Sequence, residues 1–187
     1  MINAMKITKL PTTVLNFWFD EISSRQWWIQ SDEFDQQIRL RFKDLHRAAA
    51  RCELHGWRKT ALGALAEIII LDQFSRHIYR NTPDAFASDS LALGLAQVAI
   101  AAKMDLELGN IQRSFLYMPF MHSESREIHK TAVLLFSKEG MEETLDFELK
   151  HKDIIDRFGR YPHRNNILDR TSTPEEIDFL KTPGSSF

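Results

Sequence analysis

A chain of 187 residues with 43% hydrophobic and 27% charged side chains has the length and balance of one globular domain with a continuous core. Its 24 basic and 26 acidic residues leave a net charge of -2, which excludes a global field that would draw in nucleic acid or an anionic membrane; any basic patch must be local. The longest apolar runs, 61–71 and 91–102, are interrupted by Glu67 and Gln97 and fall short of the roughly 20 residues that span a bilayer, so they read as core helices and no membrane partner is expected.

Residues 1–6 lack the apolar stretch and cleavage site of a secretory signal. Cys52 is the single cysteine, so no intrachain disulfide forms, and the expected location is cytoplasmic. In a helical run with no adjacent histidine motif, Cys52 reads as a buried structural residue rather than a reactive thiol.

Helical periodicity dominates, and no run alternates with period two between turn signals. Residues 14–19 predict a short apolar opening helix, with Trp27-Trp28 near a turn. Ser31 or Asp32 caps a long helix to about Leu54, on which Phe34, Ile38, Phe42 and Leu45 form one apolar stripe. His55-Gly56-Trp57 breaks the pattern, and Thr60 caps the next helix, through Ile68 to Leu71 and on to about Tyr79. Asn81-Thr82-Pro83 ends it, because proline pushes the preceding residue out of helical geometry.

Further helices are predicted over 88–104 and 111–117, and Pro119 separates the latter from one running from near Ser123 to about Lys138. Gly140 marks a break before an amphipathic helix over 142–157, with Leu145, Phe147, Leu149, Ile154 and Ile155 as its apolar residues. Thr173-Pro174-Glu175-Glu176 combines a capping threonine, a proline at the first position and a glutamate three residues after the cap, a strong helix start. The expected fold is all-α, an antiparallel array of eight or nine helices in one domain over 1–187, with 1–10 and 182–187 as loosely held tails. Trp18, Trp27, Trp28 and Trp57 read as helix-packing residues rather than a stacking platform for bases, and no nucleic-acid partner is expected.

Three segments could carry chemistry. In Asp72-Gln73-Phe74-Ser75-Arg76-His77-Ile78-Tyr79-Arg80, the residues Asp72, Arg76 and Arg80 share a helix face by their four-residue spacing. They follow a stretch that is apolar around its whole circumference, so the charged stripe either ends at the surface as an ordinary ion pair or lines an internal cleft. His122-Ser123-Glu124, after Pro119, offers a histidine and a carboxylate for ligand binding or proton exchange, although a helix start wants the same residues as caps. The richest segment is Arg157-Phe158-Gly159-Arg160-Tyr161-Pro162-His163-Arg164-Asn165-Asn166, with His151 upstream and Arg170 downstream. Arginine forks around a glycine and a proline suit an oxyanion, the alternative being that they hold helix C-termini and nearby carboxylates.

No metal site is expected, since His122, Glu124, His151 and His163 have no recognised ligand spacing. There is no phosphate-binding loop, dinucleotide fingerprint or nucleophile elbow, and no motif names a cofactor.

Val14-Leu15-Asn16-Phe17-Trp18-Phe19, Leu71-Asp72-Gln73-Phe74-Ser75-Arg76, Pro119-Phe120-Met121-His122-Ser123-Glu124 and the segment from Arg157 to Asn165 together resemble, in the same order over nearly the whole chain, the bacterial family called domain of unknown function 924. The resemblance implies a tetratricopeptide-like helical array and brings no activity with it. The usual repeat signature is not visible. The chain departs from the family pattern at Ser75, where proline is usual, at His77, where asparagine is usual, and at Asp169, where glycine is usual.

These observations lead to an expected helical domain that binds a small anionic molecule or peptide in a polar cleft. Its candidate ligand-binding residues are Asp72, Gln73, Arg76, Arg80, His122, Glu124, His151, Arg157, Arg160, His163, Arg164 and Asn165. The alternatives are a hydrolase or transferase acting on a small anion, with a histidine moving protons beside Glu124 or Asp72, and a protein–protein scaffold.

Overall fold

Pro11 opens helix α1 (Pro11–Asn16), its fixed φ suiting a first helical position, and the helix continues as a π turn over Phe17–Glu21. The computed structural model describes residues 10–185; the expected loose tails at 1–9 and 186–187 lie outside it. Within 182–185, Ser185 is buried and its hydroxyl donates to the Leu180 carbonyl at 3.2 Å.

Ser31 starts α2 (Asp32–Ala50) by accepting the Phe34 N–H at 3.3 Å, and Asp32, Glu33 and Asp35 place negative charge at the positive end of the helix dipole. The stripe Phe34, Ile38, Phe42 and Leu45 is buried as expected. The helix stops at Ala50 rather than Leu54, because Cys52 adopts a left-handed φ of 58°. That turn leaves Cys52 exposed, which corrects the expectation of a buried thiol.

The centre of the molecule is one rod made of α3 (Ala61–Ile69), a π turn (Ile70–Phe74) and α4 (Ser75–Ile78). Thr60 caps it by accepting the Gly63 N–H at 3.1 Å. A Cβ on Gly63 would lie 2.0 Å from the Trp57 carbonyl oxygen, so the close approach requires glycine. Ile68, Ile69, Ile70 and Leu71 are fully buried because α1, α2, α5 (Asp89–Ala101) and α6 (Asn110–Met121) all pack on this rod.

The remaining helices are α7 (Arg126–Phe136), α8 (Glu142–Phe158) and α9 (Pro174–Phe179). With α3 and α4 counted as one rod, eight helices and no strand occur among the described residues, so the fold is all-α. Helix α6 runs through Pro119 to Met121, which corrects the expected break. Proline removes one backbone donor in the last turn, but Phe115, Leu116, Met118 and Phe120 anchor that turn in the core. Helix α7 then starts at Arg126, capped by Ser125 rather than Ser123.

Two apolar expectations also change. Trp18 is fully buried, but Trp28 is 67% exposed. On α8, Phe147 and Leu149 face outward, and the inward face is Leu145, Glu148, His151 and Ile155 at helical spacing. A second small core joins Ile154, Ile155 and Tyr161 to Phe158 and Phe179, and the Thr173 capping box closes α9 as expected. No helix among the described residues is long and apolar enough to cross a membrane.

Candidate functional site

Asp72 lies in the π turn of the central rod and is fully buried. Its Oδ1 is 2.7 Å from His122 Nδ1, and its Oδ2 accepts the Gln73 side-chain amide at 2.6 Å. The same amide touches Met118 Sδ at 3.4 Å, which fixes Gln73 as an orienting group. Burial pushes the Asp72 carboxyl up, but His122 and Arg76 beside it more than reverse this and hold it ionised. An ionised carboxylate only accepts, so His122 Nδ1 donates and Nε2 carries the lone pair. Nε2 makes no hydrogen bond to any described residue. Burial lowers the His122 pKa despite Asp72, so the ring is neutral at pH 7.

Arg76, one helical turn after Asp72, donates to the Asp72 carbonyl and lies 3.5 Å from its carboxylate. It also forks onto Asp89 at 3.1 and 3.2 Å, at the first residue of α5. Burial would lower the Arg76 pKa, but Asp72 and Asp89 raise it. Arg164 approaches from the single 3₁₀ turn Pro162–Arg164 that follows the C-cap of α8, Gly159, at φ 72°. Its guanidinium sits between the Phe86 and Tyr161 rings, 4.6 Å from each centroid. It donates to the His122 carbonyl at 3.1 Å and reaches Asp89 at 3.4 Å, whereas its buried Nε has no partner. Burial and the neighbouring Arg76 lower its pKa.

Of these groups, His122, Asp89 and Arg164 border a pocket of about 300 Å³, and Asp72, Gln73 and Arg76 lie behind it. Asp89, Ser90, His122, Ser123, Glu124 and Arg164 form its polar side, and Pro83, Phe86, Ala87, Leu93, Pro119 and Leu168 its apolar side. The histidine and the arginine therefore face one cavity with an apolar wall.

Behind it, the His151 ring lies 6.5 Å from His122 and 5.7 Å from Tyr161, and His163 lies 5.5 Å from Tyr161. Burial lowers His151 to about 3 and His163 to about 4. Deeper still, His129 Nδ1 meets Glu148 at 2.7 Å, its Nε2 donates to the Ser123 carbonyl at 2.9 Å, and burial pushes the Glu148 carboxyl up.

The other sequence candidates have structural partners. Helix α4 ends at Ile78, so Arg80 leaves the Asp72–Arg76 face and forks onto Asp35, which also meets His77 Nδ1 at 2.8 Å. Arg160 forks onto Glu176 at 2.7 and 2.8 Å, and Arg157 meets Glu175 at 2.8 Å, both pairs securing α9. Asn165 donates to Ser172 at 3.0 Å and to Glu176 at 3.3 Å. Glu124 borders the pocket but is held by Arg170 at 2.6 and 2.9 Å and by the Tyr161 N–H at 2.7 Å; burial raises its pKa, and Arg170 with these bonds brings it below the usual value. Of the sequence candidates, His122, Glu124 and Arg164 line the pocket, whereas Asp72, Gln73, Arg76, Arg80, His151, Arg157, Arg160, His163 and Asn165 do not.

Sequence reasoning missed Asp89, Phe86 and Glu148. Asp89 follows Ser88 at a helix start, where an acid reads as dipole compensation, and Phe86 and Glu148 carry no local signal of their contacts. No group of three or more His, Cys, Asp or Glu among the described residues could hold a metal ion.

An all-helical protein with a polar pocket bordered by the start of α5, the end of α6 and Arg164 is the class these features define. The chain belongs to the family described as a bacterial protein of unknown function (DUF924), matched over residues 14–184. It is similar to the structure of a protein of unknown function from Agrobacterium tumefaciens, at 38% identity and a TM-score of 0.87, covering 91% of this chain and 96% of that one. No curated protein matches.

Proposed function

We propose that the pocket binds a small monoanionic molecule, a carboxylate joined to a short apolar group. The observation that carries this reading is Arg164, a 6% exposed guanidinium held over the Phe86 and Tyr161 rings that nevertheless borders the cavity. Charge selects the class. Arg76 and Arg164 are balanced by Asp72 and Asp89, so a monoanion adds one net negative charge to the site and a dianion such as phosphate two, and the smaller surplus favours the monoanion. A cavity of about 300 Å³ is at the small end of ligand sites, which suits a short acid better than a peptide.

The test is calorimetric titration with butyrate and benzoate, with inorganic phosphate as the contrast. Saturable butyrate binding, weaker phosphate binding and loss of both in Arg164→Gln are expected. Binding that survives Arg164→Gln would move the ligand elsewhere. Arg160→Ala serves as control, since Arg160 holds Glu176 away from the pocket, and should leave the affinity unchanged.

A further inference from the structure

We propose that the pocket hydrolyses small carboxylic esters, with His122 as general base, Asp72 as its positioning residue and Arg164 as the group that receives the oxyanion. The inference rests on the acid-binding reading of the same pocket: the acid it binds is then the product of the reaction. It goes beyond that reading because binding a carboxylate requires no titratable histidine.

The geometry supplies the parts in order. The fully buried Asp72 fixes the His122 ring through Nδ1 at 2.7 Å and is itself fixed by Gln73 at 2.6 Å, a carboxylate–imidazole pair supported from behind. That bond sets the tautomer, so Nε2, which has no partner among the described residues, is the basic nitrogen. His122 and Arg164 border one cavity, and Arg164 is tied to the His122 carbonyl at 3.1 Å, which keeps the two in register. A protein that needed the imidazole only as filler for its core would gain nothing by aligning it with a buried carboxylate and an arginine at the edge of a cavity.

In the step proposed, His122 Nε2 takes a proton from water as the water oxygen bonds to the ester carbonyl carbon. The carbonyl π electrons move to oxygen, where Arg164 stabilises them. The tetrahedral adduct then collapses, the bond from carbon to the alkoxy oxygen breaks, and the imidazolium returns its proton to the leaving oxygen. One water is consumed, and a carboxylic acid and an alcohol are released. The acid ionises and takes the seat described above. Only one negative charge develops, the same surplus that a bound monoanion brings to the set of Arg76, Arg164, Asp72 and Asp89.

The experiment is p-nitrophenyl butyrate hydrolysis by the full chain, followed as p-nitrophenolate release. Saturable turnover is expected, with kcat lowered roughly hundredfold or more in His122→Gln. Asp72→Asn should lower kcat and leave KM within about twofold, since Asp72 acts through the ring and never touches substrate.

The pH profile separates chemistry from scaffolding. The charged groups around His122 are Asp72, Arg76, Asp89, Arg164 and Glu124, with the His151 ring alongside. Burial dominates among them, so turnover should fall on acidification with a midpoint below 6.5, and Asp72→Asn should move that midpoint lower still, because Asp72 raises the pKa of the ring. Should His122→Gln melt prematurely, carbethoxylation of the wild type replaces it. Modification of His122, located by peptide mapping, should abolish turnover, and hydroxylamine should restore it.

Turnover equal in wild type and His122→Gln, or retained after full modification of His122, would overturn the proposal. Butyrate binding that depends on Arg164, without ester hydrolysis, would overturn it and leave the acid-binding reading standing. Absence of both would remove that reading too.

Discussion

Asp35 gathers two groups from the far end of the central rod: Arg80 forks onto it and His77 Nδ1 lies 2.8 Å away. Burial pushes its carboxyl up, and these bonds hold it down at about 2. Replacing Asp35 by Ala strands a half-buried guanidinium and a buried imidazole, for a loss of about 2 kcal/mol, below the value for fully buried pairs because Arg80 keeps some exposure. A lower urea midpoint with unchanged butyrate affinity is the expected result, and weakened binding would return Arg80 to the site. A second residue points the other way. Asp169 holds a left-handed φ of 52°, where the family resemblance puts glycine. Asp169→Gly should therefore stabilise by about 1 kcal/mol, measured as a raised melting temperature. The four-residue spacing from Asp72 to Arg76 was readable in the sequence because both residues lie within the rod; its extension to Arg80 failed because the rod ends at Ile78, two residues short.

At the scale of elements, the central rod shows why this site sits where it does. Its π turn places Asp72 inward, and the Ser75 hydroxyl donates to the Leu71 carbonyl at 2.5 Å. Ser75 also meets His46 Nε2 at 2.6 Å, so Ser75→Ala leaves both the carbonyl and a buried imidazole short of a partner. A loss of about 1–2 kcal/mol in chemical denaturation is expected, and a neutral result would mean that the π turn is held by its packing alone. Helix starts were legible, since Ser31, Thr60 and Thr173 each cap through a local bond that the sequence displays. The inward face of α8 was not. It is built from Glu148 and His151 as much as from Leu145 and Ile155, and an apolar pattern points instead to Phe147 and Leu149, which face solvent. The arginine-rich turn was partly legible: Arg164 entered the pocket, but Arg157 and Arg160 went to α9, because their carboxylate partners lie on an element whose docking no local pattern announces.

For the whole molecule, the buried imidazoles set the response to acid. His46, His151 and His163 are held by burial at about 4, 3 and 4, against 6.5 for the free group. Above pH 6.5 both the folded and the unfolded chain carry them neutral, and they make no demand on stability. Below it the unfolded chain binds a proton at each, whereas the folded chain refuses, so unfolding is favoured by up to about 1.4 kcal/mol per pH unit for each histidine until the folded pKa is reached. The positive groups beside His163 reinforce this, since Arg164 and Arg170 lower it further. The low carboxylates add to the loss only deeper into acid, since Asp35 and Glu176, both at about 2, titrate in the unfolded chain near 4. The expected outcome is a melting temperature that is flat above pH 7, falls steadily from about pH 6.5 to pH 4, and loses most of that slope in the triple variant His46→Gln, His151→Gln and His163→Gln. A wild-type curve that stays flat to pH 4.5 would mean that these rings take up protons in the folded state.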